Sequence, residues 1–231
     1  MGFHRGPKIN TDGLVLAYDA GSYRSYPNSG TSLYDLSGNG NTGTLTNGPV
    51  YNSSNGGNIT FDGSNDFISI PDIVLYNYKA STLEAFIYIQ TMAHVDNSHS
   101  IFGGVAAGSN HGYHEIRNSG NGWKMCMWTS ANGWRYANTS LSQQTWYHVT
   151  WVWVGLTLTW YLNGVNDGSY TFSTMSPYGL GINAIGAFRS GGTGERYING
   201  KIPLARIYNR QLSAEEVLRN YNSHKNRFGL T

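Results

Sequence analysis

Short runs in which apolar and polar side chains alternate recur along the whole chain, divided by turn signals about every eight to twelve residues. The strongest run is Trp146-Tyr147-His148-Val149-Thr150-Trp151-Val152-Trp153-Val154, followed by Leu156 to Leu162, Asn163-Gly164 and Val165. Aromatic and β-branched residues dominate it, which predicts an antiparallel hairpin with one packed face. In Leu83 to Ile89, the residues Leu83, Ala85, Ile87 and Ile89 share one face of a further strand. Leu14 to Tyr18 and Phe67 to Ile70 read as strands too. Asn47-Gly48-Pro49, Asp62-Gly63, Asn132-Gly133, Asn163-Gly164 and Asn199-Gly200 read as turns, because Asn and Gly tolerate positive φ. This spacing belongs to a sandwich or barrel, not to βαβ units.

Only one segment carries a helical pattern. Ser213-Ala214-Glu215-Glu216 is a capping box, Val217, Leu218 and Tyr221 recur at helical spacing, and basic residues fill the end before Gly229. A short helix of about three turns, packed on the sandwich, is predicted.

Composition narrows the class. The 231 residues suit one domain; 12% are charged and 39% hydrophobic, and 30 Gly, 24 Asn, 23 Ser and 18 Thr supply the polarity. Aromatics at 14% exclude a disordered chain. A net charge of +2 without a basic stripe argues against nucleic acid as a partner. The single cysteine, Cys126, excludes an intramolecular disulfide or a CxxC motif and reads as a buried thiol. Residues 1 to 8 lack the apolar core of a signal peptide and fail the myristoylation pattern. Val149 to Leu162, broken by Gly155 and three Thr, is too short for membrane insertion. The expectation is a chain made in the cytoplasm without a signal of its own.

Five segments in order carry a family resemblance. They are Asp12 to Asp19; Asp35-Leu36-Ser37-Gly38-Asn39-Gly40-Asn41-Thr42-Gly43; and Phe61-Asp62-Gly63-Ser64-Asn65-Asp66-Phe67-Ile68. Trp146-Tyr147-His148-Val149 with Trp160-Tyr161-Leu162-Asn163-Gly164 is the fourth, and Gly200-Lys201-Ile202 with Arg206 to Glu216 the fifth. Together they resemble the laminin-G-like domains of the concanavalin A-like lectin/glucanase superfamily. The resemblance covers roughly residues 12 to 229. It implies an all-β fold: a two-sheet antiparallel jelly-roll sandwich with one short C-terminal helix, occupying 12–231 behind an N-terminal arm, 1–11. The Gly-, Ser- and Asn-rich loops are most similar to versions carried by structural proteins of tailed bacteriophages, cyanophages included.

The resemblance also implies ligands at one rim or on the concave face, often with calcium nearby. Asp62 and Asp66 flank a tight turn and could converge on calcium, joined by Asp19 or Asp35; alternatively Asp62 caps its own turn. Pro203 and Leu204 stand where many relatives carry an acid, which weakens that site. Glycoside hydrolysis needs paired carboxylates. Glu84 and Glu115 each stand alone, and Glu84 reads as a structural residue at a sheet edge. No Gly-x-Ser-x-Gly elbow is present. His94, His99, His111 and His114 do not have zinc-motif spacing and read as loop or surface residues. Carbohydrate binding is the chemistry best served. Segment 106–138 carries His111, Tyr113, Arg117, Trp123, Trp128, Trp134, Arg135 and Tyr136, and Trp123 and Trp134 follow Gly-containing turns. Those aromatics either stack on sugar C–H faces or pack across a hairpin or subunit contact.

Two functions follow. One is a non-enzymatic virion structural protein, a capsid decoration or fibre-type component, whose partners are other virion proteins, further copies of itself and cell-surface glycans. The other is a stand-alone lectin.

Overall fold

The computed structural model describes residues 8–75, 80–104, 114–129, 132–174, 180–190 and 193–231. In chain order the strands are β1 (Leu14–Asp19), β2 (Ser32–Leu33), β3 (Gly43–Thr46), β4 (Val50–Asn52), β5 (Asn58–Asp62) and β6 (Phe67–Leu75). They continue as β7 (Ala80–Ile89), β8 (Ser98–Gly103), β9 (His114–Asn118), β10 (Trp123–Thr129), β11 (Gly133–Tyr136) and β12 (Trp146–Val154). Last come β13 (Thr157–Leu162), β14 (Val165–Thr171), β15 (Leu180–Ile185), β16 (Phe188–Ser190), β17 (Thr193–Glu195) and β18 (Asn199–Tyr208), then helix α1 (Ala214–His224).

Two antiparallel sheets form a sandwich. Sheet A runs β14-β13-β12-β7-β18-β5-β4, with β1 also on β18; sheet B runs β11-β10-β9-β8-β15-β6-β3-β2. The alternation read in the sequence decides which faces meet. Leu83, Ala85, Ile87 and Ile89 of β7 and Val149, Trp151 and Trp153 of β12 enter the core. Ile116, Met125 and Met127 meet them from sheet B. Each fully buried Leu, Ile, Val or Met side chain among them contributes roughly 1.5–3 kcal/mol. The β13–β14 turn falls on Asn163 (φ +51°) and Gly164 (φ +79°), the positive-φ pair that a two-residue hairpin demands.

Asn199-Gly200, expected as a turn, instead begins β18. A Cβ on Gly200 would lie 2.1 Å from the Tyr88 carbonyl oxygen, so this glycine serves close strand approach. Both bonds of the Ser213/Glu216 capping box form. Val217 and Tyr221 are buried, whereas Leu218, expected to pack, is 42% exposed, and Asn220 takes the inward position. Helix α1 lies on the outer face of sheet A, where Phe86, Leu204, Tyr221 and Phe228 cluster.

Glu84 is not at a sheet edge. It sits on β7 in mid-sheet, fully buried beneath α1, with Arg206 Nη1 at 2.6 Å and Asn220 Nδ2 donating to both its oxygens at 3.1 Å. His148 Nε2 lies 3.4 Å away. Burial pushes this carboxyl up, but Arg206 and His148 outweigh it and bring it to about 2. Both ends of the described chain also meet α1. Asn10 bonds Asn220 and the Glu216 carbonyl, and the Tyr221 hydroxyl donates to the Thr231 carbonyl.

Candidate functional site

The outer face of sheet B gathers several of the residues expected to bind sugar. On β10, Trp123, Met125 and Met127 point into the sandwich, so Lys124, Cys126 and Trp128 point out. On β9, Ile116 is in the core and His114 bonds Trp153 Nε1 there, which leaves Glu115 and Arg117 outside. Register places Lys124 opposite Arg117, Cys126 between Glu115 and Tyr136, and Trp128 opposite Trp134. The Arg117 guanidinium lies 4.1 Å from the centroid of the Trp134 ring, and its Nη1 donates to the Asp96 carbonyl at 3.2 Å. Half-buried cation–aromatic contacts of this kind contribute about 0.5–2 kcal/mol and fix both side chains.

Glu115 forms the floor. Ser98 Oγ donates to its Oε2, and Arg196 Nη1 lies 3.3 Å from its Oε1. Burial pushes this carboxyl up, while Arg196, Ser98 and Arg117 pull against the rise. Arg196 adopts φ +53°, a left-handed conformation uncommon for arginine, and its carbonyl accepts from the Ser100 amide at 2.8 Å. Burial pushes the Cys126 thiol well up, and the Glu115 carboxylate adds to the rise; the residue is fully buried. Burial and the Cys126 thiol push the Tyr136 phenol up, with Arg117 opposing.

Of the residues expected to contact sugar, Arg117, Trp134 and Tyr136 come together on this face. Trp123 does not: it is turned inward, packs against the core and lies 5.3 Å from the His99 ring. His111 and Tyr113 lie outside the described residues. His99 and His114 are fully buried in strands, contrary to the expectation of surface imidazoles; burial lowers them to about 4 and about 3. Glu115 takes its counter-charge from Arg196, 81 residues away in sequence, a partner that sequence reasoning missed.

The carboxylates expected to hold calcium are engaged otherwise. Asp62 Oδ1 accepts from the amides of Ser64 and Asn65, and Asp66 Oδ2 from the Asp62 amide. Burial raises Asp66, which disfavours the charged form a cation needs. Asp35 bonds the amides of Ala17, Ser37 and Asn41, and Asp19 bonds Arg227. Among the described residues no three His, Cys, Asp or Glu side chains are grouped to hold a metal. Carboxylates engaged in this way do not fit a calcium site. Glu84 and Glu115 stand on opposite sheets and cannot flank one glycosidic bond.

The model of a laminin G family, described as the concanavalin A-like lectin/glucanases superfamily, matches residues 62–218. Among solved structures, domain 4 of AbnA, a GH43 extracellular arabinanase from Geobacillus stearothermophilus in complex with arabinotriose, is similar with a TM-score of 0.70. Its identity is 17%, over 90% of this chain and 98% of that one. Trypanosoma rangeli sialidase in complex with sialic acid is similar with a TM-score of 0.68 at 16% identity, over 93% of this chain but 33% of that one. The binding domain of botulinum neurotoxin serotype D is similar with a TM-score of 0.65 at 17% identity, over 91% of this chain and 52% of that one. This chain therefore spans about a third of the sialidase and half of the neurotoxin fragment. At these identities the likeness shows the fold. No curated protein sequence matches the chain.

Proposed function

The chain belongs to the concanavalin A-like lectin/glucanase superfamily, and on that premise we propose that it is a carbohydrate-binding module without enzymatic activity, reading glycans on the outer face of sheet B. The observation that carries this reading is the Arg117–Trp134 stack, set beside Trp128 and Tyr136 on an otherwise polar face. Apolar C–H faces of a sugar match the indoles, and its hydroxyls match Arg117 and Lys124. The arabinanase domain with arabinotriose, matched along nearly its whole length, supports binding as a task for a fold of this size. Catalysis finds no support, because both Glu115 oxygens are engaged and Glu84 is sealed under α1.

A virion role is a separate proposal, supported by loop composition and by a family likeness that spans most of the chain. On a many-copy particle the same face would gain avidity for cell-surface glycans, or bury its aromatics against a partner subunit. A glycan panel, run with calcium and with EDTA, tests the lectin reading. We expect saturable binding, indifferent to EDTA, that weakens about tenfold, or 1.4 kcal/mol, in Trp134→Ala with the fold intact. No binding by the folded protein to any glycan refutes it, and particle association then becomes the leading account.

A further inference from the structure

On the opposite side of the sandwich, between the N-terminal segment, β1 and α1, lies a cavity of about 200 Å3. Ile9, Leu14 and Leu36 give it apolar walls, and Asp19, Arg206 and His224 a polar floor. Its mouth lies between exposed Thr11 and Leu36. Ala17 stands opposite Arg206 in register, with a side chain too small to cover the guanidinium.

The floor holds unused hydrogen-bonding capacity. Arg206 is 2% exposed; its Nη1 serves Glu84, but among the described residues Nη2 meets only the His224 ring, at 3.3 and 3.4 Å from the two nitrogens. Nη2 carries two N–H groups and both contacts to the ring are long, whereas a buried guanidinium ordinarily fills its donors. Asp19 Oδ1 accepts from the Gly21 amide at 2.9 Å and from Arg227 at 2.6 Å. Its Oδ2 accepts no hydrogen bond among the described residues, and His224 Nε2 is 4.0 Å away. A donor and an acceptor thus face one small space, with charges already compensated by Glu84 and Arg227.

We propose that this cavity is a second ligand site, taking one neutral ring that carries two adjacent hydroxyls, such as a terminal monosaccharide. One hydroxyl accepts from Arg206 Nη2, its neighbour donates to Asp19 Oδ2, and the C–H face lies on Leu14 and Leu36. Neutrality follows from the floor: an anion would meet Asp19 and a cation Arg206. Single-ring size follows from the volume, which is below the roughly 300–1,000 Å3 of pockets for drug-sized ligands.

Amide NMR titration of the whole chain tests this with three probes: methyl α-D-mannopyranoside, cis-1,2-cyclohexanediol and cyclohexanol. The two probes that carry adjacent hydroxyls (the vicinal diols) should shift Ala17 and Leu36 with dissociation constants in about the millimolar range. Cyclohexanol should bind about tenfold more weakly, or not at all. Leu36→Trp closes the mouth from an exposed position and should abolish the shifts at unchanged melting temperature; Thr11→Trp does so from the other lip if that variant fails to fold. Asp19→Asn should weaken both diols and leave cyclohexanol alone, while Trp134→Ala should leave all three unchanged. Absence of any shift, equal binding of cyclohexanol and the diols, or loss in Trp134→Ala but not in the mouth variants would overturn the proposal.

Discussion

Arg206→Met isolates the buried charge of Glu84. In the native protein Glu84 has dropped from an ordinary value of 4.5 to about 2, equivalent to about 3 kcal/mol of stabilisation in the charged form. Removing one partner of a buried ion pair costs about 3–5 kcal/mol by mutational precedent, so the two routes agree. For a chain of this length that is about 10 °C in melting temperature. The pH dependence carries the sharper test. Native Glu84 stabilises above its unfolded value, and that contribution fades as pH falls through 4.5 toward 2. In the variant, burial is opposed only by Asn220 and His148, so the carboxyl rises above its unfolded value. Its penalty is then absent at low pH and grows as pH rises. Urea unfolding at pH 7, 5 and 3 should therefore show a loss that shrinks with falling pH. Glu84→Gln added to Arg206→Met should recover much of it. A loss below about 1 kcal/mol at pH 7, or one independent of pH, would refute the view that Arg206 holds Glu84 ionised.

Gly200→Ala should destabilise by about 3 kcal/mol or more, since its Cβ would meet the Tyr88 carbonyl of the neighbouring strand; a thermal melt within about 2 °C of native would show that β18 can move aside. Calcium or EDTA should leave the melting temperature within about 1 °C, because Asp62 and Asp66 are spent on backbone amides; a rise of several degrees with calcium would show that the turn rebuilds itself around the ion.

Local signals were the readable part of this sequence. The alternation of β12 and β13, the Asn163-Gly164 turn and the Ser213/Glu216 box each depend on residues a few positions apart, and each forms as expected. Partners far apart were not readable. Glu84 meets Arg206 and Asn220 across 122 and 136 residues, so one sequence offers no hint that a lone glutamate in an apolar strand is a mid-sheet ion pair. The histidines misled for a related reason: His99 and His114 look like loop residues until strand pairing buries them. Within the candidate site a signal existed. Trp123 shares the parity of Met125 and Met127, which assigns it to the core face, whereas Trp128 has the opposite parity.

Asn10 and Thr231 fasten to the same helix, on the side of the sandwich turned away from Arg117 and Trp134. Anything joined beside Asn10 or Thr231 would grip the molecule from behind, as a handle does, and present the aromatic face outward. Their shared anchor makes Asn10 and Thr231 natural points to splice together. A permuted chain reopened at the Gly155 turn, beyond the exposed Val154, should keep both sheets and still offer that face to solution.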